Sequence, residues 1–247
     1  MKKTINTLLV FGLLVVLFGS VGSAYAMSDT GKGSGGGNKG KANSGTGVAT
    51  TTTTAVTGEL SEEEKADLVF MREEEKLARD VYLTLYNIWG TDIFNNIAAS
   101  EQTHTDSINA LLTAYGIPDP VTDNTIGVFT NSDLQTLYDQ LVATGSLSLV
   151  DALKVGVAIE EIDILDLYEA IGKTDESNIQ RVYSQLLAGS ENHLRGFVSL
   201  LENQTGETYI PQYLSAESYQ AIIAGSNSQQ GGSQGQGGNR GGGGGRR

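Results

Sequence analysis

The stretch FNNIAASEQTHTDSINALLTAY, residues 94–115, decides how the chain is read. Its apolar positions Phe94, Ile97, Ile108, Leu111 and Tyr115 fall at helical spacings, the stripe shown by a helix that packs against a core. Two members of that stripe are not apolar. Glu101 and His104 stand three residues apart, about one helical turn, so both side chains point into whatever the helix packs against. A carboxylate is almost never fully buried without a partner. The stretch therefore predicts a metal ion, and matching features elsewhere predict two.

Working outward, Ser61 and Glu64 make a capping box that starts a helix running to about Trp89, before Gly90. Its inward stripe is Leu68, Met71, Glu75, Ala78, Tyr82 and Tyr86 or Leu85, again interrupted by one carboxylate. The helix holding the quoted stretch starts near Thr91 or Asp92 and ends at Tyr115 and Gly116, with Pro118 and Pro120 blocking its continuation. A long connection, residues 117–147, carries a short helix from about Ser132 to Ala143.

A third long helix is expected from Ser148 to Ile171 in one of two registers. The preferred one stacks Leu149, Leu153, Gly156, Glu160, Asp163 and Leu167, with two carboxylates on a face where Gly156 lets helices approach. The other stacks Val150, Val157, Glu161, Ile164 and Tyr168. A fourth, capped by Thr174 or Asp175, reaches about Asn203 with Ile179, Val182, Leu186, Ser190, His193, Phe197 and Leu200 inward. A short helix, Ala216 to Ala224, follows.

Four long helices with a long crossover between the second and third match the ferritin-like four-helix bundle, an all-α fold. Dinuclear sites in that fold take one Glu from each of two helices and a Glu-x-x-His from each of the other two. This chain offers Glu75, Glu101-x-x-His104, Glu160 and Ser190-x-x-His193. Ser190 stands where a glutamate is expected. Asp163, one turn from Glu160, is the nearest replacement, with Glu161 and Glu191 as alternatives. The predicted metal ligands are thus Glu75, Glu101, His104, Glu160, Asp163 and His193. Oxygen and imidazole donors suit iron first and manganese second, and the absence of cysteine argues against a thiolate zinc site. Asp106 and Asp166 are candidates to orient the imidazoles, as Arg79, Asp80 and Arg195 are for other ligands. Tyr82, Tyr86, Tyr168 and Tyr183 read first as packing.

Composition frames the rest. Residues 1–26 carry Lys2 and Lys3, an apolar run from Leu8 to Phe18 and a small-residue end at Ala24-Tyr25-Ala26, the pattern of a secretory signal peptide. The run is short for a membrane span, so an exported protein without a membrane anchor is expected. Residues 27–58 and 226–247, rich in Gly, Ser, Thr, Gln and Arg, lack the aliphatic side chains that offset ordering entropy and are expected to be disordered. All 29 acidic residues except Asp29 lie within residues 59–225, whereas half of the 16 basic ones lie outside. So acidic a domain is a poor partner for nucleic acid.

The motifs EEEKLARDVY at 73–82, ASEQTH at 99–104, IEEIDILDL at 159–167 and GSENHLR at 189–195 resemble the ferritin-like family known as domain of unknown function 2202, over essentially residues 60–223. The resemblance implies a helical bundle with a dinuclear metal site and brings no activity with it. Analogy of fold suggests O2, peroxide or iron chemistry. Without cysteine there is no rubredoxin-type iron site, so an enzyme of this kind would draw on an external reductant. The competing expectation is a non-catalytic exported module that binds metal or a surface partner.

Overall fold

A computed structural model describes residues 59–229. The expected signal peptide, the 27–58 linker and all of the expected tail beyond Gln229 lie outside the described residues. The described residues form six helices and no strand: α1 (Glu62–Trp89), α2 (Asp92–Ala114), α3 (Ser132–Gly145), α4 (Leu149–Lys173), α5 (Ser177–Thr205) and α6 (Ala216–Gln229). None is long and apolar enough to cross a membrane.

Local chemistry explains the boundaries. Ser61 Oγ accepts from the Glu64 amide while the Glu64 carboxylate accepts from the Ser61 amide, closing the predicted capping box. Gly90, at φ +64°, ends α1 in the left-handed conformation that a glycine adopts without a Cβ penalty. Asn131 caps α3 and Ser148 caps α4 through their side chains. The start of α5 differs from expectation: its first residue is Ser177, and Thr174 instead bonds Glu64 and the Glu176 amide. Helix α6 continues to Gln229 because Gly225 inside a helix costs only about 1 kcal/mol, too little to stop it.

Packing pairs α1 with α2 and α4 with α5, and further contacts join α1 to α4 and α2 to α5. At one end Leu68 and Met71 meet Ile108, Leu111, Leu112, Leu167, Ala170, Ile179, Tyr183 and Leu186 in a continuous apolar core. At the other end the rings of Tyr82, Phe94 and Phe197 pack with centroids 5.1 to 6.4 Å apart. A Cβ on Gly156 would come within 2.7 Å of the Phe197 ring, so this glycine admits the aromatic group. Burying each such Leu or Phe contributes about 1.5–3 kcal/mol. The polar stripe residues lie between these two apolar layers.

Both registers of α4 are buried. The preferred one, including Leu153, Gly156, Glu160, Asp163 and Leu167, faces the interior between the long helices. Val157, Glu161 and Ile164 of the other are buried as well, although Tyr168 is exposed. Glu161 is covered by the segment before α6. Helix α1 likewise has a second buried face, made of Arg72, Glu73, Lys76, Arg79 and Asp80, beneath the connection that precedes α3.

Candidate metal centre

Glu75 on α1, Glu101 and His104 on α2, Glu160 on α4 and His193 on α5 converge between the two apolar layers. Each is buried because it occupies the inward stripe of its own helix, and the four helices present these stripes to one another. Glu101 joins the set. Its Oε2 lies 2.8 Å from His104 Nδ1 and its Oε1 lies 2.7 Å from His193 Nδ1. Glu75 Oε2 stands 3.3 Å from His104 Nδ1, and Glu160 Oε2 stands 3.5 Å from His193 Nδ1. The two imidazoles stack with centroids 5.4 Å apart. Two groups result, Glu75 with Glu101 and His104, and Glu101 with Glu160 and His193, and either could hold a metal ion.

The donor atoms crowd together but satisfy one another only in part: His104 Nδ1 and Glu75 Oε2 share a hydrogen bond, whereas others have none. Glu75 Oε1, Glu101 Oε2, Asp163 Oδ1 and His193 Nδ1 are buried and make no hydrogen bond. Buried polar atoms left this way are costly. Separations near 3 Å are what two donors show when each binds one ion at about 2.1 Å and a right angle. The residues present therefore fit a metal, and their oxygen and imidazole chemistry suits a hard or borderline divalent ion.

Charge follows the same geometry. Burial pushes the Glu75 carboxyl up, to about 8, with Glu101 adding repulsion and His104 opposing it. Glu101 is held down at about 2: burial works against ionisation, but His104 and His193 outweigh it. Burial opposes the charged imidazoles too, yet Glu101 and Glu75 push His104 up to about 11, and Glu160 and Glu101 push His193 up to about 10. Glu160 is raised by burial. Without metal, the cluster stores protons.

Asp163 is buried on the same face of α4, raised well above the usual range by burial and by the charges of Glu75, Glu160 and Glu101. It borders both groups and belongs to neither. The two alternatives to it lead elsewhere. Glu161 accepts from Tyr209 Oη at 2.6 Å and from the amides of Gln212, Tyr213 and Leu214 at 2.7 to 3.3 Å. Glu191 bonds Tyr168 at 3.3 Å on the outer side of α5. Ser190 Oγ donates back to the Leu186 carbonyl at 3.0 Å.

The expected orienting groups are also placed differently. Asp106 is exposed and bonds Gln102, while Asp166 lies against Glu74; neither touches an imidazole. Arg79 and Asp80 pair with each other and with the residues of the connection, and Arg195 bonds the Ile222 carbonyl at 2.9 Å. Two other residues shape the site. Tyr82 Oη donates to Glu160 Oε1 at 2.6 Å, a role signalled by its position two turns beyond Glu75 on one stripe. Gly189, four residues before His193, leaves room for the other imidazole: a Cβ there would lie 2.5 Å from His104 Nε2.

Three comparisons bear on this arrangement. The family described as "Uncharacterized protein domain (DUF2202)" matches residues 64–226. Uncharacterized protein MJ0754 of Methanocaldococcus jannaschii is 56% identical over 170 residues, covering 69% of this chain and 91% of that protein. The crystal structure of hypothetical protein MJ0754 from Methanococcus jannaschii DSM 2661 is similar with a TM-score of 0.66 at 56% identity, over 68% of this chain and 95% of the other.

Proposed function

We infer the function of this chain from its buried side chains, since it belongs to the DUF2202 family of uncharacterized domains and its relatives carry no activity to transfer. The reading is an exported ferritin-like protein: a four-helix bundle of α1, α2, α4 and α5, with a long crossover between α2 and α4, holding a dinuclear non-haem centre. Iron is the first candidate metal and manganese the second. The observation that carries this reading is Glu101, whose two oxygens each approach a different imidazole.

In this reading Glu75, Glu101, His104, Glu160 and His193 would hold the metal, and Asp163 would supply a further carboxylate. Bound there, a pair of ions would bring redox and Lewis-acid chemistry toward O2 or peroxide. The chain's own contribution is to collect four carboxylates, which balance the charge of two divalent ions, and to keep water out with the apolar layers on either side. Tyr82 orients Glu160. The imidazoles give up their protons when metal binds. Export rests on the sequence pattern of residues 1–26, and turnover would draw on an external reductant.

The test loads the chain anaerobically with Fe(II) or Mn(II) and measures metal per chain beside a His104→Ala/His193→Ala variant. Near two ions in the parent and a large loss in the variant are expected, followed by repeated consumption of O2 or peroxide when a reductant is present. Metal without turnover would favour the second reading, a non-catalytic exported metal-binding module. No metal in a well-folded parent would end the metal readings and leave an exported helical module that works through a surface partner.

A further inference from the structure

The sequence holds one Asn-x-Ser/Thr tripeptide with a centre other than proline, Asn203-Gln204-Thr205. The fold puts it at the surface, in the last turn of α5, which Gly206 ends at φ +72°. Residues 203–208 are all exposed, the longest such run among the described residues. The chain around this run is tied down. The Tyr209 amide donates to Glu202 Oε1 at 2.8 Å, and Tyr209 Oη donates to Glu161 at 2.6 Å. The run is thus an exposed turn on a fixed base.

Asn203 has no structural task to lose. Its side-chain amide makes no hydrogen bond among the described residues, whereas Asn192 Nδ2 on the same helix donates to the Ala188 carbonyl at 2.8 Å. A bulky polar group on Asn203 would therefore stand in solvent and displace no packing. Asn203 also lies ten residues beyond His193, about 15 Å along the helix axis, clear of the Glu/His cluster. Thr205 Oγ1 donates to the Leu201 carbonyl at 3.0 Å and accepts from the Glu207 amide at 3.2 Å. Those bonds form only when α5 closes, so the tripeptide is open to a transferase while the chain is still being exported.

We propose that Asn203 is an N-glycosylation site. Its tripeptide is the acceptor pattern for saccharide transfer to asparagine at the surface of exported proteins. The donor is a saccharide carried on a lipid phosphate. The bond from Asn203 Nδ2 to the sugar C1 forms as the C1–O bond to phosphate breaks. The lipid phosphate leaves with the bonding electron pair, the amide gives up one proton, and nothing is oxidised or reduced. The Thr205 hydroxyl, two residues on, completes the recognised pattern. The inference rests on the export in the reading above and is independent of the metal centre. A saccharide there covers an exposed turn of the kind that proteases cut.

The test takes the protein from the cells that make it and measures its intact mass and N-terminus, beside Asn203→Gln, Thr205→Val and Thr205→Ser variants produced in the same cells. The parent and Thr205→Ser should exceed the mass of their sequences by one saccharide. Asn203→Gln and Thr205→Val should match theirs. Enzymatic release of the saccharide from the asparagine amide in heavy-oxygen water should label position 203 alone. Equal helicity in all four chains would show that the lost mass does not follow from misfolding. An exported parent of unmodified mass, or extra mass that survives Asn203→Gln, would overturn the site and leave export standing. A parent kept inside the cell with residues 1–26 attached would overturn the export reading, and the site with it.

Discussion

Glu101 is the residue on which the site turns, because one carboxylate faces two imidazoles carried by different helices. Its neighbours fix its protonation and it fixes theirs. At pH 7 the metal-free cluster keeps protons on Glu75, His104 and His193, since their values lie at about 8, 11 and 10. Metal binding must expel these three together with the protons that burial favours on Asp163 and Glu160, so affinity should rise with pH, and fewer protons should be released above pH 8, where Glu75 is already ionised. Calorimetry in buffers of different ionisation heat measures the number released. Tyr82 gives a second prediction at this scale. Removing its hydroxyl in Tyr82→Phe frees Glu160 from its 2.6 Å donor and should weaken metal binding by about 10- to 100-fold, read by chelator competition.

At the level of elements, two adjacent glutamates of α4 serve different ends. Glu160 faces the cluster, while Glu161 gathers three backbone amides and Tyr209 Oη and ties the segment before α6 to the helix. Glu161→Gln should cost about 3 kcal/mol in chemical denaturation, because it puts a donor among donors, and should leave metal stoichiometry intact. Glu160→Gln should do the reverse. Lys76 and Asp80, both fully buried 2.5 Å apart, anchor the connection between α2 and α3 in the same manner. The approach of α2 to α5 rests on Gly189. Gly189→Ala should displace the His104 ring and lower metal occupancy, while metal-free stability changes by no more than about 1–3 kcal/mol, as spectroscopic titration and thermal melts would show.

For the whole molecule, the cluster links stability to pH. Glu75, His104 and His193 all have folded values above their unfolded ones, so the native metal-free state binds more protons. Their contribution is complete below about pH 4.5 for Glu75 and 6.5 for the imidazoles, and is lost as pH rises through 8, 10 and 11. Glu101 works oppositely, losing its contribution as pH falls from 4.5 through about 2. The metal-free chain should therefore melt at a higher temperature at pH 5.5 than at pH 8, and added metal should reverse that order. Much of this was legible beforehand. The 3- and 4-residue spacing placed Glu75, Glu101, His104, Glu160 and His193 on inward stripes, and the caps at Ser61, Gly90 and Ser148 marked helix ends, because period and capping are local properties of the chain. What the sequence by itself determined is which residues face inward on each helix. Only the tertiary structure decided what they meet: that Glu161 answers the 212–214 amides, that Lys76 and Asp80 are buried, and that Gly189 makes room for His104. Those outcomes depend on how separate helices and connections are set against one another, and that is fixed by packing across the chain, which no single stretch encodes.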